Sequence, residues 1–106
     1  MKKYALEFKI DAEVSVANGR VDAVLELKDK IHIFEFKYKN CPQNISEDRK
    51  RKNFDSMLSE GVEQITGRGY AGKYTQSGET IYLVAFAFLG RDNIEMLVQN
   101  KWKEMN

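Results

Sequence analysis

The sequence predicts an α/β (α+β) domain built on a mixed central sheet, and three observations lead to this prediction. Two segments joined by Asn18-Gly19, with a third strand after a short turn, indicate an antiparallel three-strand meander. A long helical pattern then separates the meander from a nearly continuous apolar run. A helical connection of that length favours a parallel pairing between the third strand and the apolar run, because parallel strands need a crossover. The 106 residues are expected to form a single domain.

The meander starts with a long alternating segment. Apolar and polar residues alternate between Tyr4 and Val16, which is typical of a strand with one solvated face. Asn18-Gly19 is a hairpin signal, because both residue types tolerate a positive φ. The returning strand is expected over residues 20–28 and the third strand over residues 31–38, with a turn around Asp29 between them.

The helix is expected to follow the strand break at Asn40-Cys41-Pro42. Ser46 is the predicted N-cap, and the acidic residues Glu47 and Asp48 suit a first helical turn. The helix is expected to end near Gly67. Its apolar face contains four residues at helical spacing: Phe54, Leu58, Val62 and Ile65.

The C-terminal third is predicted to hold the central strand of the sheet. The run from Thr80 to Leu89 reads as a strand buried on both faces. A short helical turn is expected around Tyr70, and the tail from Asn93 to Trp102 fits either a helix or an edge strand. Four aromatic residues are expected in the core: Phe34, Phe36, Phe86 and Phe88.

Composition excludes several classes of function. Hydrophobic residues make up 42% and charged residues 31%, which is ordinary for a globular protein, and the net charge of +1 does not by itself indicate a nucleic-acid partner. The single Cys41 and the absence of a signal pattern or a long apolar run predict a cytoplasmic protein without membrane contact. One histidine, His32, is too few for a zinc site of Cys and His ligands, and no nucleophile motif lies near it.

Charged residues near the ends of two neighbouring strands form the candidate site. Asp22 begins the second strand and Glu35 lies near the end of the third, so antiparallel pairing brings both carboxylates to one end of the sheet, about 5 Å apart. Carboxylate oxygens suit Mg²⁺ or Mn²⁺, and Lys37 on the same face can orient water or offset charge at a phosphorus atom. The alternative is that Glu35 and Lys37 are ordinary solvated charges at a strand end, or that they take part in a cross-strand ion pair with Asp22.

The order of these residues resembles a known family. Gly19-Arg20-Val21-Asp22, followed after twelve residues by Glu35-Phe36-Lys37, resembles the PD-(D/E)xK nuclease superfamily. The wider pattern is similar to the small nuclease domain found at the C-terminus of bacterial AAA-ATPase-like proteins. That similarity covers four segments: Ile33-Phe34-Glu35-Phe36-Lys37, Glu63-Gln64-Ile65, Gly69-Tyr70-Ala71 with Tyr74, and Ile81-Tyr82-Leu83-Val84.

This resemblance implies a restriction-endonuclease-like core and a metal-dependent nuclease that hydrolyses DNA phosphodiester bonds. Asp22, Glu35 and the backbone carbonyl of Phe36 would bind Mg²⁺ or Mn²⁺, and Lys37 would be the catalytic lysine. Gln64 and Tyr70 would lie near the site. Without the resemblance, Gln64 reads as a solvated helix residue and Tyr70 as a core aromatic.

The first strand is expected to start almost at Met1, so the chain is expected to depart from the family pattern by lacking the usual N-terminal helix and its metal-binding glutamate. Glu13 or Asp11 on the first strand is the available substitute. A second copy of the chain is expected to cover the sheet face that this helix would cover. A catalytically inactive nuclease-fold module for nucleic-acid binding or dimerisation is therefore the alternative function, and a fragment of a longer ATPase-linked protein is a third reading.

Five basic residues are candidate contacts to DNA, or to RNA. They are Arg20 in the second strand and the run Arg49, Lys50, Arg51 and Lys52 near the start of the helix. Such a run suits contacts to phosphates, but it also fits the solvated N-terminal half of a helix.

Overall fold

The computed structural model describes residues 9–16, 19–27, 29–69 and 80–101. Within these residues one helix and five strands follow each other along the chain: β1 (Lys9–Val16), β2 (Gly19–Glu26), β3 (Lys30–Lys39), α1 (Glu47–Gly67), β4 (Thr80–Leu89) and β5 (Asn93–Lys101). The strands form one sheet in the order β1-β2-β3-β4-β5. The β3–β4 pair is parallel and the other three pairs are antiparallel. The predicted mixed sheet, with its meander and its parallel fourth strand, is confirmed.

Both ends of α1 follow from local chemistry. The Ser46 side-chain oxygen accepts a hydrogen bond from the Arg49 backbone N–H at 3.2 Å, as expected for an N-cap. At the other end, the Arg68 backbone N–H donates to the Gln64 carbonyl at 3.1 Å. Gly69 has a φ of 73°, a conformation that favours glycine, and the chain leaves the helix there.

The core lies on one face of the sheet, where α1 packs against β3, β4 and β5. The helix buries Phe54, Met57, Leu58, Gly61, Val62 and Ile65. A side chain at Gly61 would bring its Cβ to 2.7 Å from the Cβ of Ala85, so this glycine allows α1 to approach β4 closely. The C-terminal half of α1 is therefore held tightly over the strands that carry the candidate site.

The opposite face of the sheet carries a continuous group of stacked rings, here called the aromatic face: His32, Phe34, Phe36, Tyr82, Phe86 and Phe88. Phe36 is 46% exposed, so the prediction that it lies in the core is wrong. β4 was predicted to be buried on both faces. It is fully buried mainly on the face that α1 covers, because Phe86 and Phe88 on the other face are only half-buried. Apolar residues on both faces of a sheet usually indicate that both faces are covered by other elements, whereas the described helix covers only one face.

The two edge strands of the sheet refine two further predictions. The tail that fitted either a helix or an edge strand is the edge strand β5, paired with β4. β1 is exposed at Ile10 and buried at Val14. The start of the predicted first strand from Tyr4, the turn around Tyr70, and Trp102 lie outside the described residues. Within the part of the chain that the structure describes, no helix combines the length and apolar content needed to cross a membrane.

Candidate active site

Asp22 and Glu35 lie opposite each other where β2 separates from β3. The last pair in the direction of Asp22 joins Ala23 to Phe34, and continuing this register by one residue places Asp22 opposite Glu35. The Oδ2 atom of Asp22 accepts a hydrogen bond from the Phe36 backbone N–H at 2.8 Å. The side chain of Asp22 therefore takes the place of a strand carbonyl, and this contact fixes the carboxylate beside Glu35.

Glu35 is the one buried charged residue among those described, with 4% of its surface exposed. Burial raises the pKa of its carboxyl group above the usual value, and the nearby negative charge of Asp22 raises it further. The positive charge of Arg68 and hydrogen bonds from it act in the opposite direction. The protein thus holds a carboxylate in a place that penalises its charge, which favours binding of a cation.

Arg68 supplies the positive charge in this structure. Its Nη1 atom lies 3.1 Å from each carboxylate oxygen of Glu35 and 2.5 Å from the carbonyl oxygen of Arg20. The aliphatic part of the side chain passes over Gly19, whose φ is 137° and whose missing Cβ would lie 3.6 Å from the Arg68 Cγ. Sequence reasoning missed Arg68, because a basic residue just after a helix usually indicates only a favourable interaction with the helix dipole.

Lys37 and Gln64 meet on the helix side of the sheet. The Lys37 ammonium group donates a hydrogen bond to the Gln64 side-chain oxygen at 3.1 Å and lies 4.0 Å from a carboxylate oxygen of Glu60. The Lys37 side chain is 22% exposed. Gly61 makes this meeting possible, because its missing Cβ would lie 3.6 Å from the Lys37 Cγ. Gln64 is therefore packed against the lysine instead of pointing into solvent.

Glu13 is the acidic residue of β1 nearest to this site. The pairs Ala12–Ala23 and Val14–Val21 flank it, so Glu13 stands opposite Asp22 in the β1–β2 register. Its φ of 50° is unusual for a residue inside a strand and interrupts the pairing at this point. Glu13 forms a 3.5 Å ion pair with Arg20.

A polar groove lies beside the two carboxylates. Its volume is about 420 Å³, and it is lined by Glu13, Gly19, Arg20, Val21, Asp22 and Arg68. Asp11, the other acidic residue of β1 considered as a metal ligand, lies two positions before Glu13 and pairs with Val24. Of the two, Glu13 has access to the groove.

The oxygen atoms around Glu35 suit a small hard cation. No three Asp, Glu, His or Cys side chains in the described ranges are grouped closely enough to hold a metal ion by themselves. Asp22 and Glu35 nevertheless offer carboxylate oxygens beside the backbone of Phe36. Mg²⁺ is usually bound by one or two carboxylates, with water and substrate phosphate completing its shell. The donor set therefore fits Mg²⁺ or Mn²⁺.

The basic run at the start of α1 lies away from these carboxylates. Sixteen helical positions separate Lys52 from Arg68, which corresponds to about 24 Å along the helix axis. Arg51 is bound to Glu95 and Asp55, and Lys50 forms a 3.5 Å ion pair with Glu47.

Of the remaining predicted residues, Arg20 reaches the groove, and Arg49 and Lys52 are found on the first turns of α1. Tyr70 lies outside the described residues.

Comparison with known proteins gives one match. A family model described as the PD-(D/E)XK nuclease superfamily matches residues 1–96. No curated protein and no solved structure matches this chain. The family match spans most of the chain, and it includes the strands on which Asp22, Glu35 and Lys37 come together. The chain belongs to the PD-(D/E)XK nuclease superfamily.

Proposed function

We propose that this protein is a metal-dependent nuclease that hydrolyses DNA phosphodiester bonds. The observation that carries the proposal is the buried carboxylate of Glu35, which lies opposite Asp22 with Lys37 two residues farther along the same strand. Membership of the superfamily supports a nuclease-type function.

Asp22, Glu35 and the backbone carbonyl of Phe36 are the proposed ligands for Mg²⁺ or Mn²⁺. When bound, such an ion would polarise a phosphate oxygen and lower the pKa of a coordinated water molecule. The carboxylates of Asp22 and Glu35 repel each other, so a divalent cation between them relieves an unfavourable interaction that exists in its absence.

Lys37 is the proposed catalytic lysine. Gln64 accepts a hydrogen bond from its ammonium group and so restricts where that group can point. An ammonium group held at the end of the carboxylate row can donate to the attacking water or to a phosphate oxygen, where negative charge develops. A role for Tyr70 near this lysine rests on the family resemblance alone.

The proposed DNA path runs from the groove along α1. Arg20 lines the groove, and Arg49 and Lys52 lie on the first turns of the helix. The axial rise of about 24 Å between Lys52 and Arg68 corresponds to roughly seven base-pair steps of a duplex. One duplex of ordinary length could therefore contact both regions, although the net charge of the chain is only +1.

A cleavage assay with Mg²⁺ or Mn²⁺ tests this function. Labelled duplex DNA, single-stranded DNA and RNA are incubated with the wild type, Glu35→Ala and Glu95→Ala. We expect cleavage of DNA by the wild type and by Glu95→Ala, and none by Glu35→Ala. Absence of cleavage by the wild type, or equal cleavage by Glu35→Ala, would reject the proposal. Cleavage of RNA but not of DNA would show that the substrate is RNA and that the proposed DNA substrate is wrong.

The aromatic face favours a second role, which is dimerisation. The same role was part of the alternative function, a catalytically inactive dimerisation module. We propose that a second copy of the chain covers this face. The whole sheet face that includes these rings has five strands about 4.8 Å apart and eight residues long, which gives roughly 630 Å², somewhat below the ~800 Å² that each partner contributes to a stable interface. Exposed Ile94, Met96 and Val98 extend the apolar surface over the edge strand.

Sedimentation of the wild type and of Phe36→Lys tests the dimer. We expect a dimeric wild type and a monomeric variant, because a buried lysine without a partner is costly. A stable wild-type monomer contradicts this proposal.

A single domain over residues 1–106 and a cytoplasmic location remain predictions, which limited proteolysis and cell fractionation can test.

A further inference from the structure

We propose that Arg68 is an exchangeable cation. In this structure the Arg68 guanidinium holds Glu35. When a divalent cation binds Glu35, the guanidinium moves to a phosphate of the nucleic acid in the groove. This inference rests on the proposed metal-dependent function, and it gives Arg68 a role in binding the substrate.

The first argument is the geometry of the contact. A single nitrogen of Arg68, Nη1, serves both oxygens of Glu35 and the carbonyl oxygen of Arg20. Nη1 carries two hydrogens, so three acceptors share two donors. Strong arginine–carboxylate pairs use two nitrogens for two oxygens. Arg68 therefore neutralises the charge of Glu35 but lacks the bidentate geometry of a strong arginine–carboxylate pair.

The second argument is competition for the same oxygens. Both carboxylate oxygens of Glu35 lie 3.1 Å from the Arg68 Nη1. A bound Mg²⁺ lies about 2.1 Å from its ligand oxygens. Because Nη1 lies between the two oxygens, a divalent cation that binds both of them would occupy the space of Nη1 and repel the guanidinium. Binding of the ion in this position would therefore displace Arg68.

The third argument is the path open to the displaced side chain. The Arg68 backbone N–H is held by the carbonyls of Gln64 and Ile65, so only the side chain needs to move. The side chain is 30% exposed and lines the groove together with Arg20. It crosses Gly19, which has no side chain to obstruct a rotation. A guanidinium released into this groove has the planar donor pattern that suits a phosphate.

Calorimetric titration with Mn²⁺ alone tests the displacement. Arg68→Gln keeps a hydrogen-bond donor and removes the charge, and Arg51→Gln is the matched control at the other end of α1. We expect Arg68→Gln to bind Mn²⁺ about tenfold more tightly than the wild type, since displacing a charge-assisted hydrogen bond costs about one power of ten. Arg51→Gln should agree with the wild type. Equal or weaker binding by Arg68→Gln would overturn the inference.

A Glu35→Ala titration separates this inference from the proposed function. If Glu35→Ala binds Mn²⁺ as the wild type does, the metal site itself is wrong. If Glu35→Ala loses binding while Arg68→Gln matches the wild type, only the exchange is wrong. Circular-dichroism melting of each variant verifies that all of them are folded at the titration temperature.

Binding of duplex DNA tests whether the displaced Arg68 guanidinium contacts a phosphate. Fluorescence anisotropy is measured with and without Mn²⁺ in a Lys37→Ala background, and each reading is taken before the slowed cleavage can consume the DNA. We expect Arg68→Gln to weaken binding about tenfold in Mn²⁺ and much less without it, because the guanidinium reaches the phosphate only after displacement. Arg51→Gln should change affinity by the same factor in both conditions. An equal loss for Arg68→Gln with and without Mn²⁺ would overturn the inference.

Discussion

Two arginine–glutamate pairs stand at opposite ends of α1, and they differ in both geometry and surroundings. Near the start of the helix, two nitrogens of Arg51 bind the two oxygens of Glu95 at 2.8 and 2.6 Å. Near its end, one nitrogen of Arg68 serves both oxygens of Glu35 at 3.1 Å. The side chain of Glu95 is 36% exposed, whereas that of Glu35 is 6% exposed.

The pKa shifts of the two glutamates run in opposite directions. Hydrogen bonds from Arg51 lower the pKa of Glu95, while burial raises the pKa of Glu35 despite Arg68. The well-matched pair is the exposed one, where such pairs contribute little to stability. The buried carboxylate has the poorly matched partner. Buried charge without a full partner is costly to a fold, so its presence points to function.

The largest effect that would sharpen this comparison is on catalysis. Glu35→Gln is expected to lower the rate of DNA cleavage by at least about a thousandfold, because it removes the charge of a proposed metal ligand. The same change in the exposed pair, Glu95→Gln, is expected to alter the rate by no more than about twofold, since effects on surface ion pairs are small. Single-turnover cleavage measures both. Comparable losses in the two variants would break the comparison.

A smaller catalytic effect is expected at Lys37. Lys37→Ala should slow single-turnover cleavage by about a hundredfold, in the range seen when one transition-state donor is removed. Its partner Gln64 only positions the ammonium group, so Gln64→Ala should cost about tenfold. Mn²⁺ affinity should stay unchanged in both. A loss of Mn²⁺ binding in Gln64→Ala would contradict a positioning role.

Stability should respond to the close packing beneath the site. Gly61→Ala places a methyl group 2.7 Å from the Ala85 Cβ and is expected to destabilise the protein by about 1–3 kcal/mol, although alanine is the better helix former. Gly67→Ala meets no atom within 4 Å and should stabilise by up to about 1 kcal/mol. Urea denaturation of the two variants measures both values. Stabilisation in both would show that the helix can move away from β4.

The smallest expected effect is a difference in pH dependence between the two glutamates. The folded-state pKa of Glu35 is raised above its ordinary 4.5, so its contribution to stability is fully present below that pH and is lost as pH rises through the raised pKa. The pKa of Glu95 is lowered, so its contribution is present above 4.5 and is lost as pH falls through the lowered pKa.

Thermal melting over a pH series measures this difference. Relative to the wild type, Glu35→Gln should gain stability as pH rises from the acid side. Glu95→Gln should lose stability over the same change. Parallel curves for the two variants would mean that their surroundings do not differ as described.

The sequence predicted the features that follow from local rules. Ser46 was identifiable as an N-cap from its neighbours, and the limits of β4 at Thr80 and Leu89 were apparent from its apolar run. The approach of Asp22 to Glu35 followed from the register of adjacent strands, because the short turn at Asp29 leaves little choice of pairing.

Features that depend on distant packing were not accessible in this way. Arg68 reaches Glu35 across 33 positions of sequence, and that contact depends on where the end of α1 sits over the sheet. The exposure of Phe36 depends on which face the helix covers, which alternation alone does not decide. Gly61 was the one available signal for close packing of α1 on β4, since glycine in the middle of a helix usually has a packing reason.

The hydrogen bond from the Phe36 N–H to Asp22 makes this carboxylate a structural part of the sheet as well as a member of the site. Asp22→Ala would remove a proposed metal ligand and also leave a backbone donor without its acceptor, so its effects on activity and on folding would be inseparable. Asp22→Asn keeps an oxygen at that position. Whatever the chemistry of the site, the Phe36 N–H still needs a side-chain acceptor at residue 22. The sheet therefore requires an acidic or amide residue here independently of the proposed metal site.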